Sequence, residues 1–247
     1  MPLPIIPPTS TSARARQLLN AAGWQLLGTG DWAWVFASPD EAVVARVTPW
    51  DPAYRLHAKA CLRNTGHPHL PRINAIVPIL GDGYVVFIER LNACDETRAA
   101  AFCAELNIAN ESGYAIKPPA LTAARPPSPG LNSQITPSTS SLQNQHAAID
   151  SLRLILTDLL AEGARTLPFW GGSDIRPGNL MCDATGQIKV IDPIFVRGLA
   201  IVDAIQRGDG EQLRRVSLKN LEAFLTIPVF ASGAETDALR KRLHEFY

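Results

Sequence analysis

Between a proline-broken start and Gly23, apolar residues recur at Ala15, Leu18, Leu19 and Ala22, a helical spacing preceded by Ser and Thr residues able to cap it. The period then changes. From Trp24 to Pro49, aromatic, β-branched and other apolar runs are interrupted at Gly28-Thr29-Gly30 and at Ser38-Pro39-Asp40-Glu41, which predicts a meander of three strands. A second helix is predicted over "DPAYRLHAKACLRNT", with Pro52 at its start and an apolar stripe through Tyr54, Ala58, Cys61 and Leu62. Two apolar runs flanking Gly81-Asp82-Gly83 predict a hairpin.

Beyond Leu91 the pattern turns helical. "CDETRAAAFCAELNIANES" reads as one helix and "HAAIDSLRLILTDLLAEGA" as a second, buried on more than one face. Between them, residues 117 to 145 are dominated by Pro, Ser, Thr, Asn and Gln with no apolar period, which predicts a disordered insertion. Its hydroxyls, Thr122, Ser128, Ser133 and Thr136 among them, make it a solvated linker first and a set of autophosphorylation sites second. "NLMCDATGQIKVID" predicts two short strands joined at Ala184-Thr185-Gly186, and two or three helices should follow Ala200. A strand-rich half and a helix-rich half define an α+β chain in two lobes, 1–91 and 92–247, with a cleft expected at the joint.

Composition removes several function classes. Lys plus Arg equals Asp plus Glu at 23 each, so no global field favours nucleic acid or an anionic membrane. No stretch reaches the length of a membrane span, and the prolines of "MPLPIIPPTSTSARAR" break any signal-peptide core. Cys61, Cys94, Cys103 and Cys182 lack the paired spacing of a zinc site, so reduced thiols and a cytoplasmic location are expected.

Four short stretches carry candidate chemistry. "LGTGDWAWVF" places Gly28, Gly30 and Ala33 at the small positions of G-x-G-x-x-G-x-V, with Val35 completing it; small residues allow backbone to approach a phosphate, though such a turn is also an ordinary hairpin. "VVARV" sets the single cation Arg46 among apolar neighbours, as on a half-buried strand. "DIRPGN" has the D-x-x-x-x-N spacing of a phosphotransferase catalytic loop, and Asp192 follows the apolar strand "IKVI". Taken singly, Asp174 and Asp192 also read as turn acids ahead of Pro177 and Pro193.

In this order, and joined by "NTGHPHLPRI" and "YVVFIERL", the motifs over residues 26 to about 196 resemble the protein-kinase-like superfamily, which includes protein kinases and aminoglycoside-type phosphotransferases. The resemblance implies a bilobal kinase-like fold and transfer of the γ-phosphoryl group of ATP, with Mg²⁺, to a hydroxyl acceptor, a protein Ser/Thr ahead of a small-molecule alcohol. It implies that Asp174 orients the acceptor and that Arg176 neutralises the moving phosphoryl group. Asn179 and Asp192 would hold the metal. Arg46 would take the nucleotide phosphates, backbone at Glu89 and Leu91 the base, and Ile88 would back the pocket. Val35 and Ala45 would form its roof and Leu180 or Met181 its floor.

The chain also departs from that pattern. No Asp or Glu occurs from Pro52 to Gly81, so the usual acid partner of the nucleotide cation is missing and Lys59 stands near its place. Gly172-Ser173 precedes Asp174 where a His-Arg pair is usual, Pro193-Ile194 follows Asp192, and 55 residues remain after Asp192 without an Ala-Pro-Glu. A pseudokinase that binds nucleotide or acts as a scaffold is therefore the alternative from a different class.

Overall fold

The computed structural model describes residues 2–109, 139–230 and 233–247. Helix α1 (Ser12–Ala21) starts at Thr11, whose side chain accepts from the Arg14 N–H at 3.1 Å. Strands β1 (Gln25–Thr29), β2 (Trp34–Ala37) and β3 (Val43–Thr48) form the expected meander, followed by α2 (Pro52–Arg63). The hairpin of β4 (Ile73–Pro78) and β5 (Tyr84–Glu89) inserts beside β3, giving an antiparallel sheet in the order β1-β2-β3-β5-β4. Gly81 adopts φ 78° in its turn, and a Cβ on Gly83 would lie 3.0 Å from the carbonyl oxygens of Thr48 and Pro49. Only glycine fits both demands.

Period-two alternation divides this sheet into two faces. Phe36, Ala45, Val47, Val85 and Phe87 pack with Ala15, Leu19 and Trp24 on the α1 side. Val44, Val86 and Ile88 face the other way, into a core shared with α2 and the second half of the chain.

That second half begins with the two-residue strand β6 (Asn92–Ala93), which pairs with β8 (Leu180–Cys182), itself paired with β9 (Ile188–Val190). Helices α3 (Glu96–Leu106) and α4 (Thr139–Thr166) pack behind it, α4 through Ile149, Leu152, Leu156 and Leu159. Helix α4 begins seven residues before His146, so the end of the expected loop is helical; residues 117–138, with Thr122, Ser128, Ser133 and Thr136, lie outside the described residues. Strand β7 (Trp170–Ser173) immediately precedes Asp174 and pairs with β10 (Ile194–Val196).

Helices α5 (Gly198–Arg207), α6 (Gly210–Leu213), α7 (Leu218–Phe224) and α8 (Ala234–His244) then build a separate core around Ile201, Ile205, Leu221 and Phe224. Two tryptophans from the first half join it: Trp32 and Trp50 lie 5.5 and 5.9 Å from the Phe224 ring, centroid to centroid. Among the described residues no helix is long and apolar enough to cross a membrane.

The cysteines depart from expectation. Cys61 and Cys103 are buried free thiols, but Cys94 and Cys182 form a disulfide, because the β6–β8 pairing brings their Cα atoms to 5.3 Å. Half of the basis for a reducing, cytoplasmic setting is thereby removed. The bridge closes a loop of 88 residues in sequence separation. Closing a loop of that length restricts the unfolded chain by about 2–5 kcal/mol, so reduction, or Cys94→Ser, should lower the unfolding free energy by that amount in urea titrations.

His57 on α2 is 1 % exposed, packs its ring against Tyr54, and has Cys61 Sγ 3.5 Å from its Nε2. Burial pushes its pKa down to about 3. The unfolded chain protonates His57 near pH 6.5 whereas the folded chain does not, so its contribution is complete above pH 6.5 and lost as pH falls toward 3. We expect the unfolding free energy to decline between pH 6.5 and pH 4 by up to about 1.4 kcal/mol per pH unit from this residue. His57→Leu should flatten that slope in urea unfolding at stepped pH.

Candidate active site

A cavity of about 220 Å³ lies between the inner face of the sheet and the β8–β9 hairpin. Of the residues singled out from sequence, Val35, Arg46, Ile88, Glu89, Leu91, Met181 and Asp192 line it. Gly28, Gly30, Ala33, Asp174, Arg176 and Asn179 lie outside its lining. Ala45 and Leu180 lie outside it too, for one geometric reason. Ala45 is fully buried on the opposite face with α1, and Leu180 packs into the core below the cleft. In a strand adjacent residues point to opposite sides, so once Arg46 faces the cleft its same-face neighbour is Val44, and Met181 excludes Leu180. Val44 lines the cavity and stands opposite Ile88 in register.

The glycine turn sits above this cavity without lining it; Leu27 forms that wall. Gly28 is exposed and follows a bulge opposite Val35, Gly30 donates its N–H to the Ala33 carbonyl at 2.9 Å, and Ala33 is buried. A Cβ on Gly28 would meet nothing within 4 Å. The tip is tethered instead, since Val229 donates its N–H to the Asp31 carbonyl at 3.2 Å and Trp32 packs into the C-terminal core.

The missing acid partner of Arg46 is present, one residue before the interval that lacks acids. Asp51 caps α2, accepting from the Tyr54 N–H at 3.0 Å through Oδ1, and takes Arg46 Nη2 at 2.7 Å through Oδ2. Its carbonyl accepts from the Tyr84 hydroxyl at 2.6 Å, and the Arg46 guanidinium stacks 3.7 Å above the Tyr54 ring. Lys59 is exposed and takes no part. Burial alone would lower the Arg46 pKa, but Asp51, Tyr84 and Asp192 hold it well above the ordinary arginine value. Sequence reasoning had one signal for Asp51, its position as an acid directly ahead of Pro52 at a helix start.

Arg46 Nη1 is buried and has no hydrogen-bond partner. A guanidinium nitrogen left unsatisfied at a cavity wall fits an anionic group bound there. Next to the lining residue Asp192, the Asn179 amide nitrogen joins Asp174 to the Asp192 main chain: it donates to the Asp174 carbonyl and Oδ2, each at 2.8 Å, and to the Asp192 carbonyl at 2.9 Å. Backbone bonds from Asp174 N–H to Pro193 O (2.8 Å) and from Ile191 N–H to Asn179 O (3.0 Å) fix the same frame. Arg176 Nε donates to Asp174 Oδ1 at 3.0 Å.

Burial raises the Asp192 carboxyl to about 7; Arg46 and Arg176 oppose this, and Asp51 and Asp174 add to it. A desolvated carboxylate in this position is short of positive charge. Among the described residues no group of three or more His, Cys, Asp or Glu could hold a metal by itself. A hard divalent ion such as Mg²⁺, which takes one or two carboxylates and completes its shell with water and phosphate oxygens, fits Asp192 and the Asn179 side-chain oxygen better than a transition metal does.

No family model matches the chain, and no curated protein matches it. Among solved structures, an aminoglycoside phosphotransferase from Streptomyces rimosus is similar at 15 % identity and a TM-score of 0.32, over 96 % of this chain and 99 % of that one. A protein assigned as a fructosamine-3-kinase from Haemophilus somnus is similar at 13 % identity and a TM-score of 0.30, over 90 % of each chain.

Asp51 both caps a helix and neutralises a buried cation, and these roles separate by substitution. Asp51→Asn keeps an acceptor for the Tyr54 N–H but strands Arg46, and should lower stability by about 1–3 kcal/mol; Asp51→Ala loses both and should approach about 3–5 kcal/mol. Urea unfolding of the two variants measures the difference.

Proposed function

We propose that the chain is a phosphotransferase of the kinase-like type, moving the γ-phosphoryl group of ATP to a hydroxyl with Mg²⁺ present. The observation that carries the reading is the buried, unsatisfied Arg46 Nη1 on the same cavity wall system as Asp192, with Asp174 joined to Asp192 through Asn179. Phosphoryl transfer asks for positioning and charge neutralisation more than for covalent chemistry by the protein.

In this reading Leu27, Val35 and Val44 cover the base, Met181 supports it, and backbone at Glu89 and Leu91 gives it hydrogen bonds. The Glu89 side chain is engaged elsewhere, accepting from the Arg72 N–H at 2.8 Å and lying 3.8 Å from Lys189 Nζ. Arg46 takes the inner phosphates, held in place by Asp51. The magnesium nucleotide supplies the phosphoryl group and the divalent charge, and Asn179 and Asp192 are the residues that would hold its metal. Asp174 orients the acceptor hydroxyl and takes its proton, while Arg176 holds the Asp174 carboxylate and neutralises charge beside it. Residues 1–91 and 92–247 act as the two walls of the cleft.

A protein Ser/Thr hydroxyl is the acceptor read from sequence. A small-molecule alcohol is the second reading, favoured by the Asp31–Val229 bond, which closes the glycine turn against the C-terminal helices and reduces the open surface for a polypeptide. Incubation of the protein with labelled ATP and Mg²⁺, alone and with lysate proteins or an alcohol library, separates the two acceptor classes. Asp174→Asn should reduce turnover at least about 100-fold while nucleotide binding persists. Thermal stabilisation by Mg²⁺-ATP with no product from any acceptor would establish the pseudokinase in its place.

A further inference from the structure

Away from the cleft, a second cavity of about 180 Å³ opens along the seam between α2 and the C-terminal helices. Arg55 projects from α2 on one side and Arg215 from the α6–α7 connection on the other. Trp50, Pro52, Pro168 and Val216 supply apolar wall between them. The Arg55 Nε is buried without a hydrogen-bond partner. Its ion-pair partner among the described residues is Asp82, whose Oδ1 lies 3.8 Å from Nη1, beyond hydrogen-bond distance, while Asp82 Oδ2 accepts from Asn220 Nδ2 at 2.6 Å. Arg215 has no acid within ion-pair distance among the described residues. Lys219 adds a third cation beside the seam, its Cε 3.5 Å from where a Cβ on Gly81 would be.

Two cations, Arg55 and Arg215, therefore line this half-enclosed space with one acid, Asp82. Low-dielectric walls strengthen their pull on an anion. Guanidinium groups from opposite walls present donors that engage a tetrahedral oxyanion on more than one edge. Ser217 Oγ accepts from the Asn220 N–H at 3.2 Å, which leaves its hydroxyl proton for a further acceptor.

We propose that this seam is a binding site for a phosphate-class oxyanion, with Arg55 and Arg215 as its ligands, bridging α2 to the C-terminal helices. The site is independent of the nucleotide reading. It does adjoin it, since Trp50 and Pro52 flank Asp51 in the chain.

Inorganic phosphate is the probe, titrated calorimetrically into the full chain at fixed ionic strength, with chloride as the reference anion. Saturable binding is expected in the wild type. Arg215→Gln, at an exposed position that packing does not depend on, should weaken it at least tenfold, and Arg55→Gln likewise. Arg46→Lys should leave it unchanged within twofold. Absence of saturable binding in the wild type overturns the proposal. So does a loss on Arg46→Lys with none on Arg215→Gln, which would assign the phosphate to the cleft. An equal loss on Lys241→Gln, a charge change on α8 away from the seam, would reduce the effect to bulk electrostatics and overturn it too.

Discussion

The buried pair of Arg46 and Asp51 is the constraint on which the cleft depends. Arg46 cannot occupy a strand facing the core without a compensating charge, because an unpaired buried cation is strongly destabilising. Asp51 supplies that charge from the first residue of the α2 cap, so the register of β3 and the start of α2 are fixed by one contact of 2.7 Å. Tyr84 and Tyr54 complete the enclosure, one bonding the Asp51 carbonyl and one stacking under the guanidinium. The second guanidinium nitrogen, Nη1, is left buried and without a hydrogen-bond partner on a residue that lines the cavity.

A comparable economy governs the floor. One amide, Asn179, ties the Asp174 carboxylate to the main chain at Asp192, and it does so from the end of a short 3₁₀ turn (Pro177–Asn179) whose last carbonyl accepts from the Ile191 N–H just after β9. The Cys94–Cys182 bridge and the β6–β8 pairing hold the connection after β5 against the same hairpin. His69 adds a further tie, its Nδ1 2.9 Å from the Ile188 carbonyl. Upper and lower walls are thus joined at several points behind the cavity, which favours a rigid hinge side.

The opposite side is organised differently. There the C-terminal helices take Trp32 and Trp50 into their own core, and the glycine turn is bonded to the segment before α8 rather than left over open space. Gly198 belongs to the same arrangement, since a Cβ there would come within 3.1 Å of the Trp32 ring. The seam between α2 and these helices is where the unmatched positive charge collects.

Much of this was legible in the chain. Hydrophobic period alone located the meander, the β4–β5 hairpin, α1, α2 and the β8–β9 hairpin, since local alternation and turn residues act over a few positions. The D-x-x-x-x-N spacing and the apolar strand ahead of Asp192 singled out Asp174, Asn179 and Asp192, and the fold links the three through the Asn179 side-chain amide. What needed the tertiary structure was every choice of face and partner. Whether Ala45 or Val44, Leu180 or Met181, meets the cavity follows from which side each strand turns inward, and a one-residue change of phase reverses it. The acid serving Arg46, the cysteines that pair, and the helices that receive Trp32 are far or unexpected neighbours in sequence. Their contacts exist only after long-range packing has brought separate elements together, and no local pattern encodes that distance.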